Sequence, residues 1–151
     1  MLSFFLFLIA VTLTAFSASR FRPGTWHEKL VKPSWNPPNW IFAPVWSILY
    51  LFMAISGWLI WHQTHNLFHP ALIVWIMQLV FNGLWSYLFF GRHSPGLALA
   101  DIVGLLALII VFLFCAYSVS ILAALLFIPY VLWVMFAAVL NFYLWQLNRP
   151  A

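Results

Sequence analysis

Charge is what this chain has least of. Only 5% of its 151 residues are Asp, Glu, Lys or Arg, and the acids are Glu28 and Asp101 alone. A soluble domain carries about 25% charged residues. Here 66% of residues are hydrophobic and the mean hydropathy is +1.04. Surface-to-volume scaling leaves a water-soluble fold of this length no way to hide that much apolar surface. An integral membrane protein is expected, forming one compact domain. Cysteine is nearly missing as well. Cys115 alone excludes an internal disulfide and a multi-cysteine metal site, and its neighbours Phe112, Leu113, Phe114 and Ala116 mark it as an inert packed thiol. Paired carboxylates, a Ser/His/Asp set and a glycine-rich phosphate loop are all absent. Six Lys and Arg give the net charge of +4. They are too few for a nucleic-acid surface, and they flank apolar stretches as topology signals do. No internal repeat is visible, so an inverted-repeat transporter finds no support.

What the chain does have is long apolar runs. A spanning helix needs about 20 mostly apolar residues. Five stretches qualify, over about residues 2–19, 41–61, 70–90, 96–117 and 121–147, the last interrupted by Pro129. The first lacks the positive region of a secretory signal, although small residues from Ala15 to Ser19 leave a cleavage site open. It is read as a span. Residues 97–147 are almost unbroken apolar sequence, too long for one crossing, and Ser118-Val119-Ser120 is their only polar punctuation. Five crossings place Arg20, Arg22, Lys29, Lys32, Arg92 and Arg149 on one side. The positive-inside rule makes that side cytoplasmic, with the N-terminus outside and the C-terminus inside. An α-helical bundle of this kind suits a bacterial inner membrane.

Between the first two spans lies Lys32-Pro33-Ser34-Trp35-Asn36-Pro37-Pro38-Asn39-Trp40-Ile41-Phe42-Ala43-Pro44-Val45-Trp46. Its prolines fix φ and remove backbone donors, so it cannot start as a helix. Its indoles offer flat apolar faces, each with one N–H. A stiff aromatic loop, residues 20–40, at the mouth of a membrane bundle is expected to lid a site for a flat apolar ligand.

Few residues within the spans can carry chemistry. Asp101 is either a structural anchor, accepting from an indole or from an amide such as Asn82, or a group that works directly on ligand or proton. Gln78, Asn82 and Asn141 are expected to bond across helices. Trp85 lies one turn from Asn82 and extends the pair toward a pocket. His62, His65 and His69 are read as interfacial histidines and not as a metal site. Gly96, Ala100 and Gly104 repeat every fourth residue, which serves close packing inside the bundle or between copies. Trp58, Trp61 and Trp145 fit interfacial belts. Trp46, Trp85 and Trp133 sit within spans beside other unusual residues, and a pocket explains them together.

These blocks resemble the translocator protein / tryptophan-rich sensory protein (TspO/MBR) family. The resemblance runs from about Arg20 to Asn148. It is carried by Lys32 to Trp40, Pro44-Val45-Trp46 with Leu49-Tyr50 and Met53, Asn82-Gly83-Leu84-Trp85, Phe89-Phe90-Gly91, Ala98-Leu99-Ala100-Asp101, Pro129 to Trp133 and Phe136 to Asn141. It implies an all-α bundle of five transmembrane helices, commonly a homodimer, with a cavity closed by the first loop. It also implies binding of porphyrins such as protoporphyrin IX, and of isoquinoline or benzodiazepine ligands. By the same resemblance the cavity draws on Trp46, Asn82, Trp85, Asp101, Trp133, Ala137 and Leu140, with Trp35 and Trp40 in the lid. Trp46 and Trp133 would take part in any light- and oxygen-dependent porphyrin breakdown. Lys29, Lys32 or Arg92 would meet porphyrin carboxylates. No cofactor or metal is implied. Sterol-like lipids are partners of some members, and the pattern Leu140-x2-Tyr143-x5-Arg149 can be read here, but Phe142 stands where relatives often have tyrosine and Gln146 at the usual arginine position. Three functions stay open: a receptor or sensor that moderates porphyrin levels, a photochemical porphyrin-degrading enzyme, and a porphyrin or sterol transporter.

Overall fold

The computed structural model describes residues 2–149; residues 1, 150 and 151 of the expected single domain lie outside them. A backbone in hydrocarbon must satisfy its own polar groups, and apolar segments of this length do so as helices. The chain forms α1 (Leu2–Ser19), a short α2 (Thr25–Lys29), α3 (Phe42–Thr64), α4 (Pro70–Ser86), α5 (Pro95–Tyr117) and α6 (Ile121–Asn148). Among the described residues there is no strand, and five helices are long and apolar enough to cross a membrane. The expected five-helix transmembrane bundle is what forms. Helix α1 packs on α3 and α4, α5 lies between α4 and α6, and α6 returns to α3. The five long helices therefore close a ring in the order α1, α3, α6, α5, α4.

Local chemistry sets the ends. Asn39–Ile41 form one 3₁₀ turn that leads into α3, and Pro44 falls in the first helical turn, where its missing N–H costs little. His65 closes α3 in the left-handed region at φ 48°, its N–H donating to the Trp61 carbonyl at 2.8 Å. His69 caps α4: its Nδ1 accepts from the Ala71 N–H at 3.2 Å, ahead of Pro70 in the first turn. Ser120 caps α6 by accepting from the Ala123 N–H at 3.3 Å.

Three features differ from the sequence reading. Helix α3 runs on to Thr64, because the left-handed His65 and not Trp61 terminates it. Pro129 does not interrupt α6, which is continuous through it. The ring removes one i→i−4 bond, to Leu125, and with no water in hydrocarbon to satisfy a frayed end the helix keeps its course; Pro129 borders an open groove with Val45, Ile48 and Leu49 of α3. Third, α4 does not stop cleanly. Tyr87–Gly91 continue it as a π-helical turn, with the Arg92 N–H donating to the Tyr87 carbonyl at 2.8 Å.

Aromatic rings seat on glycines where helices approach closely. Gly57 of α3 faces Trp75 of α4 and Phe7 of α1, and Gly104 of α5 faces Phe81 of α4. Gly96 faces the Trp145 indole of α6, while Ala100 is exposed. The small-residue repeat thus takes rings from two different neighbours inside the chain at its first and last positions.

A Cβ on Gly57 would sit 2.6 Å from Trp75 Cε2 and 2.8 Å from Phe7 Cδ1. Trp75 is held by its Nε1–H, which donates to the Met53 carbonyl at 2.9 Å, so the ring cannot simply turn aside. Gly57→Ala is expected to lower stability by about 1–3 kcal/mol, read as a fall in the thermal midpoint in detergent micelles. An unchanged midpoint would contradict this packing.

Candidate functional site

Asn141 sits on α6 and is 1% exposed. Its Oδ1 accepts from Trp85 Nε1–H of α4 at 2.9 Å, and its Nδ2 donates to the Pro95 carbonyl at the start of α5 at 2.8 Å. One amide therefore ties three helices. It also fixes the plane of Trp85. The π turn then swings the next aromatic residues onto that plane: Phe89 stacks on Trp85 at 5.0 Å and 20°, and Phe90 stands edge-on to it at 5.7 Å.

The first loop folds over this aromatic wall. Val31 and Asn148 exchange a pair of hydrogen bonds at 2.9 Å each, clipping the loop to the end of α6. Trp26 stacks on His93 at 4.4 Å and 15°. His93 is in the left-handed region at φ 52°, directly after the π turn. Trp35 leans edge-on against Phe136 and Tyr143 of α6. The loop, the end of α6 and the turn before α5 thus meet at one end of the bundle, the end that carries all six basic residues.

Between loop and wall lies a cavity of about 50 Å³, lined by Trp85, Phe89 and Phe90, by Phe42, Ala137, Leu140, Asn141 and Leu144, and by His27, Asn36 and Asn39 from the loop. His27 stands on α2, packs against Phe89 and Phe90, and is buried. Among the described residues its Nδ1 has no hydrogen-bond partner. Burial, and then the nearby Lys32 ammonium, push its imidazole below the ordinary histidine value, with Glu28 opposing. The cavity is therefore aromatic on the helix side and polar on the loop side.

Of the residues singled out from the sequence, Trp85, Ala137 and Leu140 line this cavity together. Asn82 lies deeper, in a chain of bonds: Tyr50 donates to its Oδ1 at 2.7 Å, its Nδ2 donates to Tyr130 Oη at 2.9 Å, and Tyr130 donates to Gln78 Oε1 at 3.0 Å. That chain joins α3, α4 and α6. Trp46 packs beside it, 5.5 Å from Tyr50 and 6.1 Å from Tyr130. Trp133 meets Phe42 at 5.7 Å, across from the cavity, and borders an open apolar groove between α3 and α6. Asp101 is buried, and neither carboxyl oxygen has a partner among the described residues. The anchoring bond expected from Asn82 or an indole is not made, because Asn82 is committed to Tyr130 and Trp85 to Asn141. Trp40 is 72% exposed and Trp35 43%, both at the rim. Lys29 and Arg92 are exposed at the same end, and Lys32 is half-buried beside His27.

The sequence reading missed His27, Asn36, Asn39 and the Asn148 clip. His27 carried no motif, and it turns inward only because Thr25–Lys29 form a helical turn inside a loop read as irregular. Phe89 and Phe90 stood in a motif block, but nothing local announced the π turn that aims them.

The match of this chain to the TspO/MBR family covers residues 3–146. The chain belongs to the TspO/MBR family. Its relatives include Protein CrtK of Rhodobacter capsulatus, 39% identical over 96% of this chain and 92% of the relative. The tryptophan-rich protein TspO of Chlorobaculum tepidum is 41% identical over 88% and 87%. The human translocator protein is 35% identical over 95% and 88%. In this TspO/MBR member the aromatic wall depends on Asn141. Asn141→Ala leaves the Trp85 N–H and the Pro95 carbonyl unpaired. Stability is expected to fall by about 1–3 kcal/mol, and Trp85→Phe, which removes only one of the two bonds, by about half as much. Unfolding in mixed micelles measures both, and equal stability for Asn141→Ala and wild type would refute the three-helix tie.

Proposed function

We propose that the chain is a membrane receptor or sensor protein that binds a flat tetrapyrrole, such as protoporphyrin IX, between the Trp85–Phe89 wall and the first loop. The observation that supports this most is the wall itself: a stacked indole–phenyl pair held by Asn141 and Tyr87–Gly91, facing a polar loop edge. A wide π-system finds stacking partners there. Pockets for drug-sized ligands run to about 300–1,000 Å³, while this cavity is about 50 Å³. A tetrapyrrole therefore enters only when the loop lifts and the Val31–Asn148 and Trp26–His93 contacts part. This gives residues 20–40 the work of a lid.

The binding reading stands ahead of a photochemical one because neither Trp46 nor Trp133 lines the cavity, and Phe42 stands between it and Trp133. The orientation follows from charge. All basic residues gather at the lid end, and the positive-inside rule turns that end to the cytoplasm with the N-terminus outside. A bacterial inner membrane and a homodimer are the expected setting.

Protoporphyrin IX titrated into the purified protein is expected to quench tryptophan fluorescence saturably. Trp85→Leu should weaken binding by about tenfold or more, since a stacked ring contributes beyond its burial, while Trp58→Phe at the opposite end should leave it unchanged. No quenching at high micromolar porphyrin would end the reading. Sidedness is tested in a Cys115→Ser background. A membrane-impermeant maleimide added to intact spheroplasts should label Ser118→Cys but not Arg149→Cys, and the reverse pattern would invert the topology.

A further inference from the structure

Three features outside the aromatic wall invite a function. The groove at Pro129 is apolar throughout, and nothing in the structure says what covers it. Asp101 is buried without a partner among the described residues, but it lines neither the loop cavity nor the Pro129 groove. His27 combines a cavity, a buried nitrogen without a partner and a charged neighbour, and it carries an inference.

We infer that His27 is the residue that recognises an acidic group on the ligand: its imidazole, with Asn36 and Asn39, forms the polar end of the cavity and receives a carboxylate carried by the aromatic ring. This rests on the proposed tetrapyrrole reading and assigns the carboxylate a partner other than Lys29 or Arg92, which are exposed at the rim.

A buried imidazole nitrogen without a partner is costly to keep. With the loop closed its ring stands edge-on to Phe89 at 6.2 Å and Phe90 at 5.5 Å and is buried. The lining atoms beside it come from two amides that can donate N–H groups, Asn36 and Asn39. Asn36 Nδ2 already donates to the Pro37 carbonyl at 3.0 Å, which fixes the side chain in place. The charged groups that influence His27 are Lys32 and Glu28 of its own loop. From the elements packed against it come Phe89 and Phe90, which are neutral, and from the turn beyond them His93, whose ring is taken up by Trp26. No carboxylate of the bundle faces it. Asp101 is not among the cavity residues.

Electrostatics then sets the sign. Without an anion, burial and Lys32 keep the imidazole neutral to a pH below its ordinary range. A ligand carboxylate beside it favours the imidazolium, so the bound state holds a proton more readily than the free state. Binding therefore takes up a proton, and affinity rises as pH falls through the bound-state value, levelling off below the free-state value.

The test compares protoporphyrin IX with its dimethyl ester, which keeps the ring and removes the charge. Quenching titrations run from about pH 8 to about pH 5.5, above the range where the propionates protonate. Wild type is expected to bind protoporphyrin IX about tenfold more tightly at the lower pH, as a one-unit shift on binding requires. The ester should show no such slope, and His27→Gln should abolish it for the acid. Heats of binding to wild type in two buffers of different ionisation enthalpy count the proton taken up and need no variant. A slope that survives in His27→Gln, or zero proton uptake by wild type, overturns the inference while leaving ring binding intact. If neither porphyrin binds at any pH, the tetrapyrrole reading fails and this inference falls with it.

Discussion

Helices in hydrocarbon gain nothing from burying apolar faces against one another, because lipid tails are as apolar as leucine. Whatever selects one arrangement must come from close packing and from polar groups with nowhere else to go. This constraint governs the whole bundle. Ser56 of α3 donates to the Ala123 carbonyl of α6, and Trp75 of α4 to the Met53 carbonyl of α3. The Tyr50–Asn82–Tyr130–Gln78 chain and the Trp85–Asn141–Pro95 tie each span three helices. The amides and several hydroxyls and indoles in the spans act as fasteners between helices, while Thr12, Thr14, Ser47 and Thr64 bond back to their own helix. Asp101 and Trp133 are exceptions: neither carboxyl oxygen of the one nor the indole N–H of the other is partnered among the described residues.

The same fasteners make the cavity wall rigid. Trp85 could swing about its own rotamers if its N–H were free. Asn141 holds it, and the amide is itself anchored to the first carbonyl of α5. The π turn adds one residue to the last turn of α4 and so rotates Phe89 under the indole. Without that extra residue the helical repeat of α4 would place Phe89 and Phe90 differently relative to Trp85. Stacking and tie therefore depend on each other, and the aromatic face is set before any ligand arrives.

Much of this architecture was legible in the sequence. The scarcity of charge required a membrane, the length of the apolar runs required five crossings, and the six basic residues agreed by falling in alternate connections. Asn82, Asn141 and Gln78 were readable as cross-helix bonds because an amide in hydrocarbon has few alternatives. Their particular partners were not readable, since helix rotation decides them. Asp101 illustrates this: Asn82 was within reach in sequence terms, yet Tyr130 on a third helix claims its amide. Pro129 was misread as a break because a soluble helix would break there, whereas a packed membrane helix keeps its course for want of water to satisfy a frayed end. His27 escaped notice because its inward turn depends on five residues of helix inside a proline-flanked loop, too short for any periodicity to announce.

The division between wall and lid follows from where water can reach. The bonds of Asn82, Asn141 and Trp75 lie in the bundle, and breaking one leaves a bare polar group in an apolar surrounding at a cost of about 1–3 kcal/mol. The Val31–Asn148 pair lies at the exposed rim, where water replaces each lost bond and the net cost is about 0.5–1.5 kcal/mol apiece. The Trp26–His93 stack adds about 0.5–1.5 kcal/mol more. Lifting the loop also parts Trp35 from Phe136 and Tyr143, and His27 from Phe89 and Phe90, contacts between aromatic faces that an incoming ring would replace in kind. Splaying α4 from α6 would break the Trp85–Asn141 bond and open the Asn82–Tyr130 chain together. A cavity of about 50 Å³ can grow to admit a large ring by either route. On the proposed tetrapyrrole reading, the route that moves residues 20–40 leaves the five long helices where their polar bonds hold them.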